Sequence, residues 1–239
     1  TVVISRAPVW ADVALYFPLN EPASTTSFTD ESGNARHGAC SEPACPTTNL
    51  SGKFGQAAQF DGTADYVSAP LNLANQSFTV AFWAKRAATG QYDFAVGQGS
   101  AGNNQGLQVG FRNNDKFTCA FYGNDLDTSA TYADTDWHHW ACTYDTSSRT
   151  RTIYRDGVNV AQGTALADYQ GTGDLLIGKA PWGDYFGGTL DEVQIYARPL
   201  SAAAINALRT SVSPATTEPP LLAGATVRLK LDEPSGVGA

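Results

Sequence analysis

Residues 77–85 read Ser-Phe-Thr-Val-Ala-Phe-Trp-Ala-Lys, and this stretch decides which class of fold the chain adopts. Its apolar side chains alternate, with Phe78, Val80, Phe82 and Ala84 at every second position. Successive side chains of an extended backbone point to opposite sides, so these four share one face. A period of two over nine residues therefore predicts a β-strand with one face in a core.

Similar short runs occur on both sides of 77–85, and each ends at Gly, Asn, Asp or Pro. They predict strands at 13–19, 57–60, 66–69, 107–112, 117–122, 138–144, 152–156, 158–161, 175–178 and 189–196. Asp156-Gly157, between two of these runs, is a strong signal for a tight hairpin turn. Gly97 to Gly102 has the Gly-x-Gly-x-x-Gly spacing of a dinucleotide motif, but no helix follows it, so we interpret it as a hairpin loop.

One helix is predicted over 202–208, where Ser201 is a suitable N-terminal cap and Ile205 and Leu208 share a face. Parallel strands need crossover helices, and the sequence offers none. We therefore predict an all-β fold, an antiparallel two-sheet jelly-roll sandwich with one short C-terminal helix.

Composition narrows the function classes. Of 239 residues, 42% are hydrophobic and 16% are charged, which is typical of a folded globular chain. The net charge of −8 and the scattered basic residues argue against nucleic-acid binding. No apolar run approaches the ~20 residues that span a bilayer, so no membrane span is predicted.

The C-terminal segment differs from the rest. Residues 211–224 are rich in Ser, Thr and Pro and predict a linker. Residues 225–239 contain Leu-Asp-Glu-Pro, which repeats the Leu-Asn-Glu-Pro at 19–22, where the run at 13–19 ends. We predict a domain over 11–210, a linker or strand at 1–10, and at 225–239 the first strand of a following repeat, with Val227, Leu229 and Leu231 as its apolar face. With no Met and no signal peptide, the chain is expected to be a piece of a longer repetitive protein.

The four cysteines indicate disulfides and a secreted, extracellular or cell-surface location. Four cysteines allow three pairings. We favour Cys40 with Cys45, across a short loop, and Cys119 with Cys142, in strand-like runs that we expect side by side; buried free thiols are the alternative. Zinc is disfavoured because the neighbours His138 and His139 would point to opposite faces of a strand.

Six motifs in order resemble the laminin G-like jelly-roll domains of the concanavalin A-like lectin/glucanase superfamily. They are Asp-Glu-Ser-Gly-Asn at 30–34, Ala-Gln-Phe-Asp-Gly at 58–62 with Asp-Tyr-Val at 65–67, the stretch 77–83, Trp-His-His-Trp-Ala-Cys-Thr-Tyr-Asp at 137–145, Tyr-Arg-Asp-Gly-Val at 154–158, and the run 186–201 with Leu-Asp-Glu-Val. Together they extend over the region 11–210. The resemblance implies two packed antiparallel sheets and a binding role in a secreted or surface protein.

The resemblance also implies a structural calcium ion at an edge of the sandwich. Its ligands would come from Asp30, Asn34, Asp61, Gly62 (through its carbonyl) and Asp191. The alternative is that Asp30 and Asn34 only shape a turn and that Asp191 pairs with a nearby cation.

Two aromatic loops have the composition of a sugar site, which needs an aromatic platform and polar groups that fix hydroxyls. The first contains Trp182, Asp184 and Tyr185, and the second contains Tyr122 and Asn124. Catalysis is not expected. Glucanases of the superfamily use a Glu-x-Asp-x-x-Glu strand, and this chain has no Glu between Glu42 and Glu192.

The sequence therefore predicts a non-catalytic binding or assembly module of a secreted repetitive surface protein, acting in adhesion or glycan binding. One alternative is a repeating subunit of an extracellular filament or sheath, in which the C-terminal strand adds head-to-tail to a neighbouring copy. A second alternative is an accessory domain of a glycan-degrading enzyme.

Overall fold

The structure, a computed structural model, describes residues 12–210. Within them lie sixteen strands and one helix: β1 Val13–Phe17, β2 Ser27–Phe28, β3 Gly38–Ala39, β4 Thr47–Ser51, β5 Gln56–Asp61, β6 Val67–Ala69, β7 Phe78–Arg86, β8 Asp93–Gly99, β9 Gly106–Phe111, β10 Phe117–Ala120, β11 Asp125–Asp127, β12 His138–Asp145, β13 Thr150–Arg155, β14 Val158–Thr164, β15 Leu175–Ile177, β16 Gly187–Tyr196 and α1 Ala202–Leu208. The predicted linkers at 1–10 and 211–224 and the strand of Val227, Leu229 and Leu231 lie outside the described residues. Their role in assembly stays a prediction.

The strands form two antiparallel sheets. The first sheet has the order β14-β13-β12-β7-β16-β5-β4, and β1 also pairs with β16. The second sheet has the order β11-β10-β9-β8-β15-β6-β3-β2. These two sheets and the single helix confirm the predicted jelly-roll sandwich.

Strand β7 lies at the centre of the first sheet, between β12 and β16. Phe78, Val80, Phe82 and Ala84 all join the core between the sheets, as their spacing predicts. Burying a Phe or Val side chain contributes about 1.5–3 kcal/mol. This strand alone therefore anchors much of the fold.

Part of the other face of the first sheet is covered by α1. Ile205 and Leu208 pack there against apolar side chains of the outer face, Ala81, Ala141, Tyr154 and Tyr196. Ser201 caps the helix, its Oγ accepting a hydrogen bond from the amide of Ala204 at 3.3 Å. This second small core explains why β7 and β16 are buried on both faces.

Both predicted disulfides form, Cys40–Cys45 and Cys119–Cys142. From the sequence we expected Cys119 and Cys142 on neighbouring strands, and this expectation was wrong. Cys119 is on β10 of the second sheet and Cys142 on β12 of the first, so the bond joins the two sheets across the core. Among residues 12–210 no helix is long and apolar enough to cross a membrane.

The sequence missed five strands, β2, β3, β4, β8 and β11. Four are short or irregular, but β8 is central in the second sheet. Its apolar alternation is interrupted by Gly97, Gln98 and Gly99. Strand β8 matters for function, because its outer face borders the groove described next.

Candidate functional site

A groove of about 310 Å3 lies on the outer face of the second sheet, beside the loop 178–186. We call it the aromatic groove, and its lining is Tyr92, Phe94, Gln108, Arg112, Tyr122, Gly123, Asp125, Trp182 and Asp184. A groove of about 340 Å3 lies beside β1, but its described lining contains no aromatic residue. The aromatic groove is the better candidate because its lining combines aromatic rings with polar groups.

The loop 178–186 reaches the outer face because small residues let it approach. A Cβ atom added to Gly97 would lie 2.4 Å from the carbonyl oxygen of Lys179. One added to Gly106 would lie 2.6 Å from the Trp182 ring. The indole therefore rests directly on the backbone of β9.

Trp182 is fixed on two further sides. Its indole N–H donates a hydrogen bond to Asp184 at 2.8 Å, across a turn closed by the amide of Ala180 and the carbonyl of Asp184. The Tyr122 ring meets it edge to face, with ring centroids 5.0 Å apart. The two rings form a corner whose orientation is set before any ligand arrives.

A second aromatic pair borders the groove. Tyr92 stacks on Phe94, with ring centroids 5.9 Å apart. Tyr92 is 42% exposed and Tyr122 is 37% exposed, so both rings offer apolar surface to solvent. Large exposed aromatic rings that border a groove are typical of a binding surface rather than of a core.

The polar groups of the groove differ in how they are engaged. Arg112 donates from Nε to Asp127 and from Nη2 to Asp125, each at 2.8 Å. Gln108 is buried in the floor, and no hydrogen bond joins its side chain to any residue between 12 and 210. Its amide therefore retains both a donor and an acceptor for a ligand.

Three of the five predicted sugar-site residues, Tyr122, Trp182 and Asp184, line this groove together. Tyr185 lies elsewhere, with its ring centroid 4.9 Å from the ammonium of Lys179. Asn124 is buried, and its amide bonds Asn104, Ala167, Arg151 and Leu166. Asn124 thus supports the loop that carries Tyr122.

Nothing in the sequence singled out Tyr92, Phe94, Gln108 and Arg112 as site residues, whereas Asp125 ends the predicted aromatic loop that contains Tyr122 and Asn124. The only signal for Tyr92 and Phe94 was the alternating Tyr-Asp-Phe-Ala-Val at 92–96, and we did not predict a strand there. Gln108 lies within a predicted strand. That its side chain points to the outer face of the sheet becomes clear only because its neighbours Leu107 and Val109 lie in the core.

The predicted calcium ligands are distributed along β16. Asp61 is paired with Gly187 at one end of this strand. Asp30 accepts the amide of Tyr16, which is paired with Gln194 near the other end. At ~3.3 Å per residue the two ends are about 20 Å apart. No group of three or more acidic, His or Cys side chains within residues 12–210 is arranged to hold a metal ion.

Backbone amides already bind the carboxylates of two of these residues, Asp30 and Asp61, whereas Asn34 and Gly62 use N–H groups in their bonds rather than an oxygen that could bind calcium. Asp30 accepts the amides of Tyr16, Ser32 and Arg36, and Asn34 donates to the carbonyl of Val13. Asp61 accepts three amides from 63–65, while Gly62 donates its amide to Phe186.

Asp191, fully buried, accepts the amide of Phe54 through Oδ2, and no group between residues 12 and 210 hydrogen-bonds Oδ1. The five residues do not fit one coordination shell. Calcium stays a prediction that rests on the resemblance.

A carboxylate pair lies on the first sheet, remote from the aromatic groove. Burial raises the pKa of Asp191 and that of Glu192 to about 7. Glu192 accepts a hydrogen bond from the hydroxyl of Tyr16 at 2.7 Å. Within the groove, Asp125 binds Arg112 and Asp184 binds Trp182.

Comparison with known proteins agrees with this architecture. Residues 61–206, more than half of the chain, match a laminin G family described as the concanavalin A-like lectin/glucanases superfamily. A comparison with curated proteins gave no match.

Several solved structures share the fold. Domain 4 of a GH43 extracellular arabinanase from Geobacillus stearothermophilus, in complex with arabinotriose, superposes with a TM-score of 0.67 at 19% identity, over 83% of this chain and 98% of that one. The binding domain of Paraclostridial mosquitocidal protein 1 gives 0.65 at 15% identity, over 84% of this chain and 52% of that one. The receptor binding domain of botulinum neurotoxin type G gives 0.60 at 14% identity, over 83% and 51%.

This chain thus spans about half the length of the two toxin structures. At these identities the likeness establishes the fold alone. With the family match and the two-sheet architecture together, the chain belongs to the concanavalin A-like lectin/glucanases superfamily.

Proposed function

We propose that this chain is a non-catalytic glycan-binding module and that the aromatic groove is its binding site. The observation that carries the proposal is the fixed corner of Tyr122 and Trp182, which lines one groove together with the exposed ring of Tyr92 and several polar groups. Sugar rings present C–H groups with partial positive charge, which are attracted to the negative faces of aromatic rings.

The polar lining supplies the second requirement of a sugar site. The free amide of Gln108 is available to donate to one hydroxyl and accept from another. One carboxylate oxygen each of Asp125 and Asp184 is not used in the bonds to Arg112 and Trp182. Few, fixed polar groups among aromatic rings give orientation without a large ordering cost.

A binding role is favoured over glycoside hydrolysis by the state of the carboxylates. Hydrolysis needs two carboxyl groups on either side of the scissile bond, one of them free to donate a proton. Asp125 and Asp184 instead hold Arg112 and the Trp182 indole. The fold it shares with a domain of an extracellular arabinanase supports the accessory-domain alternative for a longer parent protein. The two disulfides support an extracellular location.

The test is calorimetric titration with a panel of soluble oligosaccharides, including arabinotriose and oligomers of glucose, galactose and xylose. We expect at least one to bind, and Tyr122→Ala and Trp182→Ala each to weaken that binding about tenfold or more. Tyr185→Ala is the matched control, since Tyr185 lies in the same loop as Trp182 but outside the groove.

Melting temperatures of all three variants establish that they fold. Equal losses in Tyr185→Ala and Tyr122→Ala would remove the aromatic groove as the site. Failure of the whole panel to bind would overturn the glycan-binding function itself.

A further inference from the structure

We propose that the aromatic groove selects neutral glycans over acidic ones, because its cation is already neutralised by the protein. This inference rests on the proposed function and names the ligand class of the same site. Arg112 is the only basic side chain among the described residues that line the groove. An acidic sugar would need this guanidinium, since cations are the groups that recognise carboxylates.

The guanidinium of Arg112 is held on two sides. Nε donates to Asp127 and Nη2 to Asp125, both at 2.8 Å, and Nη2 also reaches the hydroxyl of Thr118 at 3.3 Å. The Arg112 side chain is only 19% exposed. Burial alone would lower the pKa of Arg112, but the two carboxylates outweigh it and raise that pKa. The cation is therefore permanent, and its Nε and Nη2 groups already donate hydrogen bonds within the protein.

The remaining charge of the groove is negative. Its lining contains one Arg and two Asp, Asp125 and Asp184, and a further carboxylate, Asp127, lies 2.8 Å from Nε of Arg112. The whole chain is also acidic, with a net charge of −8. A carboxylate on a ligand thus meets net repulsion, whereas a neutral sugar encounters rings and the amide of Gln108. At separations of several Å in partly exposed surroundings, one such repulsion weakens binding about tenfold.

The experiment compares matched neutral and acidic ligands on the wild-type chain. Suitable pairs are galactotriose with trigalacturonic acid and lactose with sialyllactose, added to the panel already named. We expect each acidic member to bind about tenfold more weakly than its neutral partner at low ionic strength, with a smaller gap in 0.5 M salt because the charges are screened. An acidic member that binds as tightly as its partner, or more tightly, would overturn the selectivity while leaving the glycan-binding function intact.

A variant pair tests the cause. Asp125→Asn combined with Asp127→Asn frees Arg112, and we expect binding of the acidic member to strengthen about tenfold. Adding Arg112→Gln to that double variant should abolish the gain. If the double variant folds, as judged by its melting temperature, and the acidic ligand gains nothing, neutralisation of Arg112 is not the cause. The salt dependence of the wild type provides a test that needs no variant. Absence of binding to any ligand, neutral or acidic, would contradict the proposed function rather than the selectivity.

Discussion

Replacing His139 by Phe tests whether β12 buries a neutral histidine beside Trp83 of β7. His139 is almost fully buried, its ring meets the edge of Trp83 with centroids 5.5 Å apart, and no residue between 12 and 210 hydrogen-bonds its Nδ1. Burial lowers the pKa of His139 to about 4; the charge of Asp156 opposes this shift, and that of Arg209 adds to it.

The sign of the pH effect follows from proton binding. Between pH 6.5 and about 4 the unfolded chain binds a proton at His139 and the folded chain does not, so stability falls as pH falls through this window. With an unfolded pKa of ~6.5 and a folded pKa of about 4, the loss at pH 4.5 is about 2.5 kcal/mol relative to pH 7.5. Phe has a similar size and does not titrate, so His139→Phe should remove this loss.

The assay is urea denaturation of both proteins at pH 7.5, 6.5, 5.5 and 4.5. The free energy of unfolding of the variant minus that of the wild type should rise by about 2.5 kcal/mol from the highest pH to the lowest. Asp191 and Glu192 titrate in the same range, but both proteins contain them, so their contribution cancels in the difference. A difference that stays constant within ~0.5 kcal/mol would refute a buried neutral His139.

Three further changes test other parts of the fold. Asp30→Ala leaves the amides of Tyr16, Ser32 and Arg36 without their acceptor and should cost about 3 kcal/mol, measured by urea denaturation; a loss below ~0.5 kcal/mol would contradict its role at the edge of β1. Asn124→Ala removes four internal hydrogen bonds and should lower the free energy of unfolding by about 2–3 kcal/mol. An unchanged melting temperature together with lost glycan binding would instead make Asn124 a ligand contact. The double variant Cys119→Ala with Cys142→Ala removes a disulfide between residues 23 apart and should lower the free energy of unfolding by about 3 kcal/mol under non-reducing conditions. Equal stability of variant and wild type would show that this bond adds nothing to the stability of the sandwich.

The fold was predictable wherever alternation was strong. Phe78, Val80 and Phe82 define β7 unaided, because a two-residue period has no helical equivalent. Strand β8 was missed because Gly97 and Gly99 serve the close approach of the loop 178–186 and the hairpin, and they interrupt the apolar pattern. Its pairing with β9 and β15 compensates for that weak local preference.

The site was less predictable than the fold. Tyr122 and Trp182 are 60 positions apart, and only the folding of the loop onto β9 brings their rings together. Tyr122 and Gly123 both have positive φ, so the chain reverses there and Asn124 turns inward. The predicted calcium ligands come from motifs that the resemblance brings together, but sequence spacing does not reveal that Asp30 and Asp61 lie near opposite ends of β16.

The most direct test of the account is a crystal structure of the chain with the tightest-binding oligosaccharide of the panel. We predict one sugar ring packed against Tyr122 and Trp182, with its hydroxyls bonded to Gln108 or to the free oxygen of Asp125 or Asp184. A sugar bound instead in the groove beside β1, or against Tyr185 and Lys179, would contradict the assignment of the aromatic groove as the binding site.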